Sequence, residues 1–94
     1  MNNESTLKEI LGQIVNSKSI KDRYELVHIR KIWAQTLGKT IETYTSDIRF
    51  YRGVLTVVIS SSPLRQELNF GRDKLLKLLN EALGEDLIKD IKIF

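Results

Sequence analysis

The chain has 94 residues, 41% of them apolar and 29% charged, with a formal net charge of +3 and no cysteine. That length supports a single domain, 1–94, with one modest core, and the composition is that of a soluble globular protein. Disulfide frameworks and thiolate metal sites are excluded, no apolar run approaches the roughly 20 residues that cross a bilayer, and "MNNESTLKEI" lacks the blocks of a secretory signal.

The spacing predicts a first helix from Thr6 to about Ser17. Thr6 and Glu9 form a capping-box pattern, and Leu7, Ile10, Leu11, Ile14 and Val15 repeat at helical spacing. "NSKSIK" then reads as a loop. A second helix is expected after Asp22 as its N-cap, with Glu25 three residues on. Leu26, Ile29, Trp33 and Leu37 share one face of it, and Gly38 stands where a left-handed C-terminal cap belongs. The only tryptophan, Trp33, therefore reads as a core anchor rather than a ligand platform.

"SDIRFYRGVLTVVISSS" has the pattern of a β-hairpin turning at Arg52-Gly53, which would pair Tyr51 with Val54 and Phe50 with Leu55. Ile48, Phe50, Leu55, Val57 and Ile59 then share one face, and Arg49, Tyr51, Val54, Thr56 and Val58 the other. The second strand is apolar enough for the centre of a sheet. "SSPLRQELNFGRDKLLKLLNEALG" reads as a third helix, with Ser62 as N-cap, Pro63 first inside and Gly84 as C-terminal cap. Leu64, Leu68, Leu75, Leu79 and Ala82 form its apolar stripe. Gly71 inside it marks either a close backbone approach or a break between two shorter helices. "IKDIKIF" alternates as a last strand, Ile91 and Ile93 inward, parallel to the hairpin's second strand. The order α-α-β-β-α-β gives an α+β fold, a three-stranded mixed sheet with helices on one face.

Catalytic and metal constellations are missing from this pattern. His28 is the only histidine and lies on the polar side of its helix. Ser60, Ser61 and Ser62 read as a strand exit and helix cap, because a nucleophile needs an oriented base. The nearest glycines, Gly71 and Gly84, are thirteen residues apart, too far for a phosphate-cradling loop. No enzyme and no cofactor are expected, and a reducing cytoplasm is the expected location.

Binding remains. Between Lys18 and Lys39 six basic residues face two acids, Asp22 and Glu25, more than the net excess of the whole chain. The window reads as a footprint for phosphates or as a solvated helix face. Lys21, Arg23, Arg30, Lys31 and Lys39 are its candidate phosphate contacts, with Arg49, Arg52 and Tyr51 as additions and Arg65 as a further cation. The sheet face carrying Tyr51, Val54 and Val58, near Arg49, Lys92 and Phe94, suits stacked bases and tracked phosphates. It suits a protein partner or a second protomer equally.

The ordered set Trp33, Gly38, Ile41 and Thr45 resembles the opening signature of the DciA family, bacterial proteins long catalogued as a domain of unknown function and linked to the replicative helicase. Gly53, Leu55, Val57, Ser61, Glu67 and Leu68 continue the likeness in "GVLTVVISSSPLRQEL". Leu76, Leu79, Asn80, Leu83, Gly84 and Ile91 complete it in "LLKLLNEALGEDLIKDIKI", so it covers about residues 5 to 94. The resemblance implies a fold similar to a type II K-homology domain, here without that domain's GxxG loop. It also implies association with the replicative helicase and with single-stranded or fork DNA, without catalysis. Longer members add a tail that engages the helicase; this chain is expected to be the domain alone, with no C-terminal tail. The expectation is thus a DNA-binding module that assists the helicase, against the alternative of a protein–protein adaptor or self-associating domain working through the exposed sheet face.

Overall fold

A computed structural model describes residues 18–94 of the chain. The helix expected over Thr6 to Ser17 lies outside the described residues.

The first described helix, α1, runs from Lys18 to Leu37. It corrects two expectations. Residues 18–21 of the supposed loop are helical, and Asp22 lies inside the helix rather than at its cap. Nothing between Lys18 and Asp22 breaks a helix, neither glycine nor proline, so a weak cap signal loses to propagation. Gly38 ends α1, not in the left-handed helical cap expected but at φ of 89° and ψ of 171°, a region open to glycine alone that turns the chain straight into the next helix. Its N–H donates to the Ala34 carbonyl at 3.1 Å, while its own carbonyl accepts the Glu42 N–H at 3.1 Å and starts a new helix. That helix, α2 (Lys39–Tyr44), was not anticipated.

β1 (Thr45–Tyr51) and β2 (Val54–Ile59) form the hairpin in the expected register, Tyr51 opposite Val54 and Phe50 opposite Leu55. Arg52 and Gly53 both take positive φ, 49° and 80°, the signature of a type I′ turn whose twist matches the strands. The register shifts between Thr45 and Asp47, leaving Ser46 as a bulge. β3 (Asp90–Ile93) pairs parallel with β2, giving the order β1-β2-β3 with β2 central.

The long third helix is two helices, α3 (Ser62–Phe70) and α4 (Arg72–Leu83). Gly71 is a break and not a close approach: a Cβ placed there would meet only the Glu67 carbonyl oxygen, at 3.8 Å. The N-cap is Ser61, not Ser62. The Arg65 N–H donates to the Ser61 carbonyl at 2.9 Å, so helical bonding begins there, and the Ser61 hydroxyl accepts the Leu64 N–H. Pro63 is therefore second rather than first within the helix. Gly84 closes α4 in the left-handed conformation, with φ of 79°. Ala82 is exposed. The covered arc of α4 runs instead through Leu75, Leu76, Leu79 and Leu83, which fall within about 100° of one another at helical spacing, with Ala82 beyond its edge.

All this places the core on one face of the sheet. Ile48, Leu55, Val57, Ile59, Ile91 and Ile93 meet Ile29 and Trp33 from α1 and Leu75 and Leu79 from α4. The architecture is the expected α+β one, a three-stranded mixed sheet with helices over one face. Asn80 closes the connection from α4 to β3 in two directions: its amide donates to the Ile88 carbonyl at 2.8 Å and its oxygen accepts the Ile88 N–H at 2.9 Å. Among the described residues no helix is long and apolar enough to cross a membrane.

Candidate nucleic-acid interface

Helix geometry divides the cations of α1. Lys21 and Arg30 are nine residues apart, about two and a half turns, so they emerge on opposite flanks of the buried Ile29–Trp33 stripe. Arg23 and Arg30, seven residues apart, share a flank. Two observations orient the flanks. The Arg30 guanidinium donates to the Ile48 carbonyl at 3.3 Å, so its flank faces β1. On the other side Glu25 and His28 line a hollow with Leu83, Glu85 and Leu87, at the C-terminal end of α4. Lys21 is on this second flank and lies 3.9 Å from Glu25. The neighbouring groove along α4 is bordered by Asp73, Glu81, Glu85 and Asp86 against one cation, Lys77, so its net charge disfavours phosphate. Lys31 is exposed on the outward side of α1, and Lys39 is exposed at the start of α2.

Arg30 marks where helix and sheet charges meet. In the antiparallel register the backbone groups of Ile48 point away from β2, at the free edge of the sheet. The residue after Ile48 is Arg49, on the outer face, with its Nε 2.8 Å from Asp47 Oδ2. Beyond it Tyr51 is 59% exposed, and the Arg52 guanidinium sits 5.2 Å from the centre of the Tyr51 ring. The structure thus sets Arg30 against β1, which carries Arg49 and Tyr51 and leads into Arg52, while helix geometry puts Arg23 on the same flank of α1 as Arg30 and Lys21 on the other.

Arg65 does not join them. Its Nε and Nη2 both donate to the Ile59 carbonyl, at 3.3 and 3.1 Å, which ties it to the end of β2. Trp33, 1% exposed, is the core anchor its spacing indicated, and its Nε1 donates to Thr45 Oγ1 at 2.9 Å. Lys92 and Phe94 stand on the outer sheet face, Phe94 60% exposed, and deserve a place in the candidate set. The alternation of "DIKIF" carries the signal for both. Among the described residues no three His, Asp or Glu side chains are grouped to hold a metal ion.

A protein-family model described as Dna[CI] antecedent, DciA matches residues 6–93, essentially the whole chain. No curated protein and no solved structure matches.

Proposed function

The chain belongs to the DciA family, which is linked to the replicative helicase, and from that premise we propose that it is a non-catalytic module that contacts single-stranded or fork DNA and assists the helicase there. Arg23, Arg30, Lys31, Arg49 and Arg52 make the phosphate contacts, with Lys39 at the margin. The observation that carries this reading is the Arg30–Ile48 hydrogen bond. It sets one cation of α1 against the edge of β1, beside the residue that precedes Arg49, which supports a shared surface for the two. Among the described carboxylates none pairs with Arg23, Arg30, Lys31, Lys39 or Arg52.

Contacts of this kind are indifferent to base sequence and release counterions, so affinity falls with salt. Fluorescence anisotropy of a labelled single-stranded oligonucleotide tests it. With about five phosphates neutralised, affinity should drop about 130-fold between 50 and 200 mM salt. A folded protein that shows no binding at the lower salt ends the DNA half of the proposal. Capture of purified replicative helicase, with and without nuclease, tests the other half.

A further inference from the structure

The outer face of the sheet has an order that the strand registers make explicit. Tyr51 lies opposite Val54, and Val54 opposite Asp90. Arg49 lies opposite Thr56, and Thr56 opposite Lys92. Asp47 lies opposite Val58; the Phe94 N–H donates to the Val57 carbonyl at 2.9 Å and its carbonyl accepts from Ile59 at 2.7 Å, which puts Phe94 on the far side of Val58. Three rows result. A cationic row, Arg49–Thr56–Lys92, crosses the middle, and an aromatic ring stands at each of two opposite corners.

With strands about 4.8 Å apart and a rise of about 3.3 Å per residue, Tyr51 and Phe94 are separated by about 16 Å along the diagonal. That is four to five steps of about 3.4 Å each along a stacked strand. The rings cannot serve neighbouring bases. They can hold two bases several nucleotides apart, with the intervening phosphates crossing the cationic row. Of the two acids nearby, Asp47 pairs with Arg49 Nε at 2.8 Å, while Asp90 accepts the Ile91 N–H through Oδ1 at 2.8 Å and sits in the row away from Arg49 and Lys92. The Asp47 pairing uses Arg49 Nε and leaves its terminal nitrogens for phosphate.

Resting on the reading that the module contacts nucleic acid, we infer that this face is a stacking platform for an unpaired strand, with bases on Tyr51 and Phe94 and phosphates on Arg49 and Lys92. A duplex hides its base faces and gains nothing from the rings, so the platform selects unpaired bases. Size argues for this occupant over a protein. The exposed patch measures about 250 Å² at these spacings, against about 800 Å² per partner in a stable protein interface.

The test uses the full chain, labelled oligothymidylates of two to twelve nucleotides and a twelve-base-pair duplex. Single strands should bind more tightly than the duplex, with affinity climbing steeply to about six nucleotides. Tyr51→Ala and Phe94→Ala should each weaken binding of an eight-nucleotide strand about 5- to 150-fold, the loss expected for one stacked base. Tyr51→Phe and Phe94→Tyr should restore it, and a tryptophan substituted at Phe94 should be quenched on binding. The salt slope should be unchanged by the ring variants and reduced by about 0.7 in Arg49→Gln or Lys92→Gln. Circular dichroism confirms folding in each case. Equal binding by the alanine variants, or equal affinity for duplex and single strand, overturns the platform while leaving the helix cations as the DNA contact. A dimer or helicase complex lost in those variants with DNA binding intact overturns it in favour of a protein-docking face. Absence of all nucleic-acid binding at low salt removes the platform and the proposed function together.

Discussion

Trp33 is bonded as well as buried. Its indole N–H donates to Thr45 Oγ1 at 2.9 Å, and that hydroxyl passes its own hydrogen to the Ile41 carbonyl at 2.6 Å. One side chain therefore ties α1 to the start of β1 and, through Thr45, to α2. Thr45→Val keeps the volume but strands the indole N–H in the interior, at a cost of about 1–3 kcal/mol. Urea denaturation should show a lower midpoint with an unchanged slope. Trp33→Phe removes the orphaned donor, so the two substitutions together should cost less than the separate losses added up. A purely apolar role for the indole would make them additive.

At the scale of elements, boundaries rest on single groups. Ser61 accepts the Leu64 N–H, whereas Ser62 is exposed within the first turn of α3. Ser61→Ala should therefore cost about 0.5–1 kcal/mol and Ser62→Ala almost nothing. Thermal melts of the two variants distinguish the caps directly. The glycines around α4 should respond in opposite directions to alanine. Gly71 has φ of −97° and open space for a Cβ, so Gly71→Ala should stabilise by about 0.4–1 kcal/mol through the unfolded chain. Gly84 has φ of 79°, and although nothing crowds it, Gly84→Ala should destabilise by about 1 kcal/mol from backbone strain alone. Chemical denaturation of both proteins, side by side, reads the sign.

Across the whole molecule charge is partitioned. Arg30 meets the edge of β1, and helix geometry puts Arg23 on the same flank, while the far side of α1 meets Glu85 at the end of α4. Net charge of +3 does not reveal this division. It predicts different effects of removing equal charges from one helix. Arg23→Gln should lower the salt slope of DNA binding by about 0.7, and Lys21→Gln should leave it unchanged. Both residues are exposed, so folding is not at issue. Equal slopes in the two variants would mean that DNA meets α1 without regard to flank.

Much of the architecture was legible in the chain itself. Alternation on either side of Arg52-Gly53 determined the hairpin, its register and its two faces, because a two-residue turn and a period of two leave no freedom to slip. The same is true of the stripe through Ile29 and Trp33, the inward Ile91 and Ile93, and the stop at Gly84. The tertiary structure alone decided what distant groups share. Gly71 admitted two readings until its surroundings proved open. Arg65 counted as a free cation until its guanidinium met the Ile59 carbonyl, and Lys21 counted with Arg30 until the flanks of α1 acquired different neighbours. Periodicity and turn chemistry act over a few residues and are written locally. The partner of a long charged side chain depends on how whole elements pack, whether six residues away, as for Arg65 and Ile59, or eighteen, as for Arg30 and Ile48.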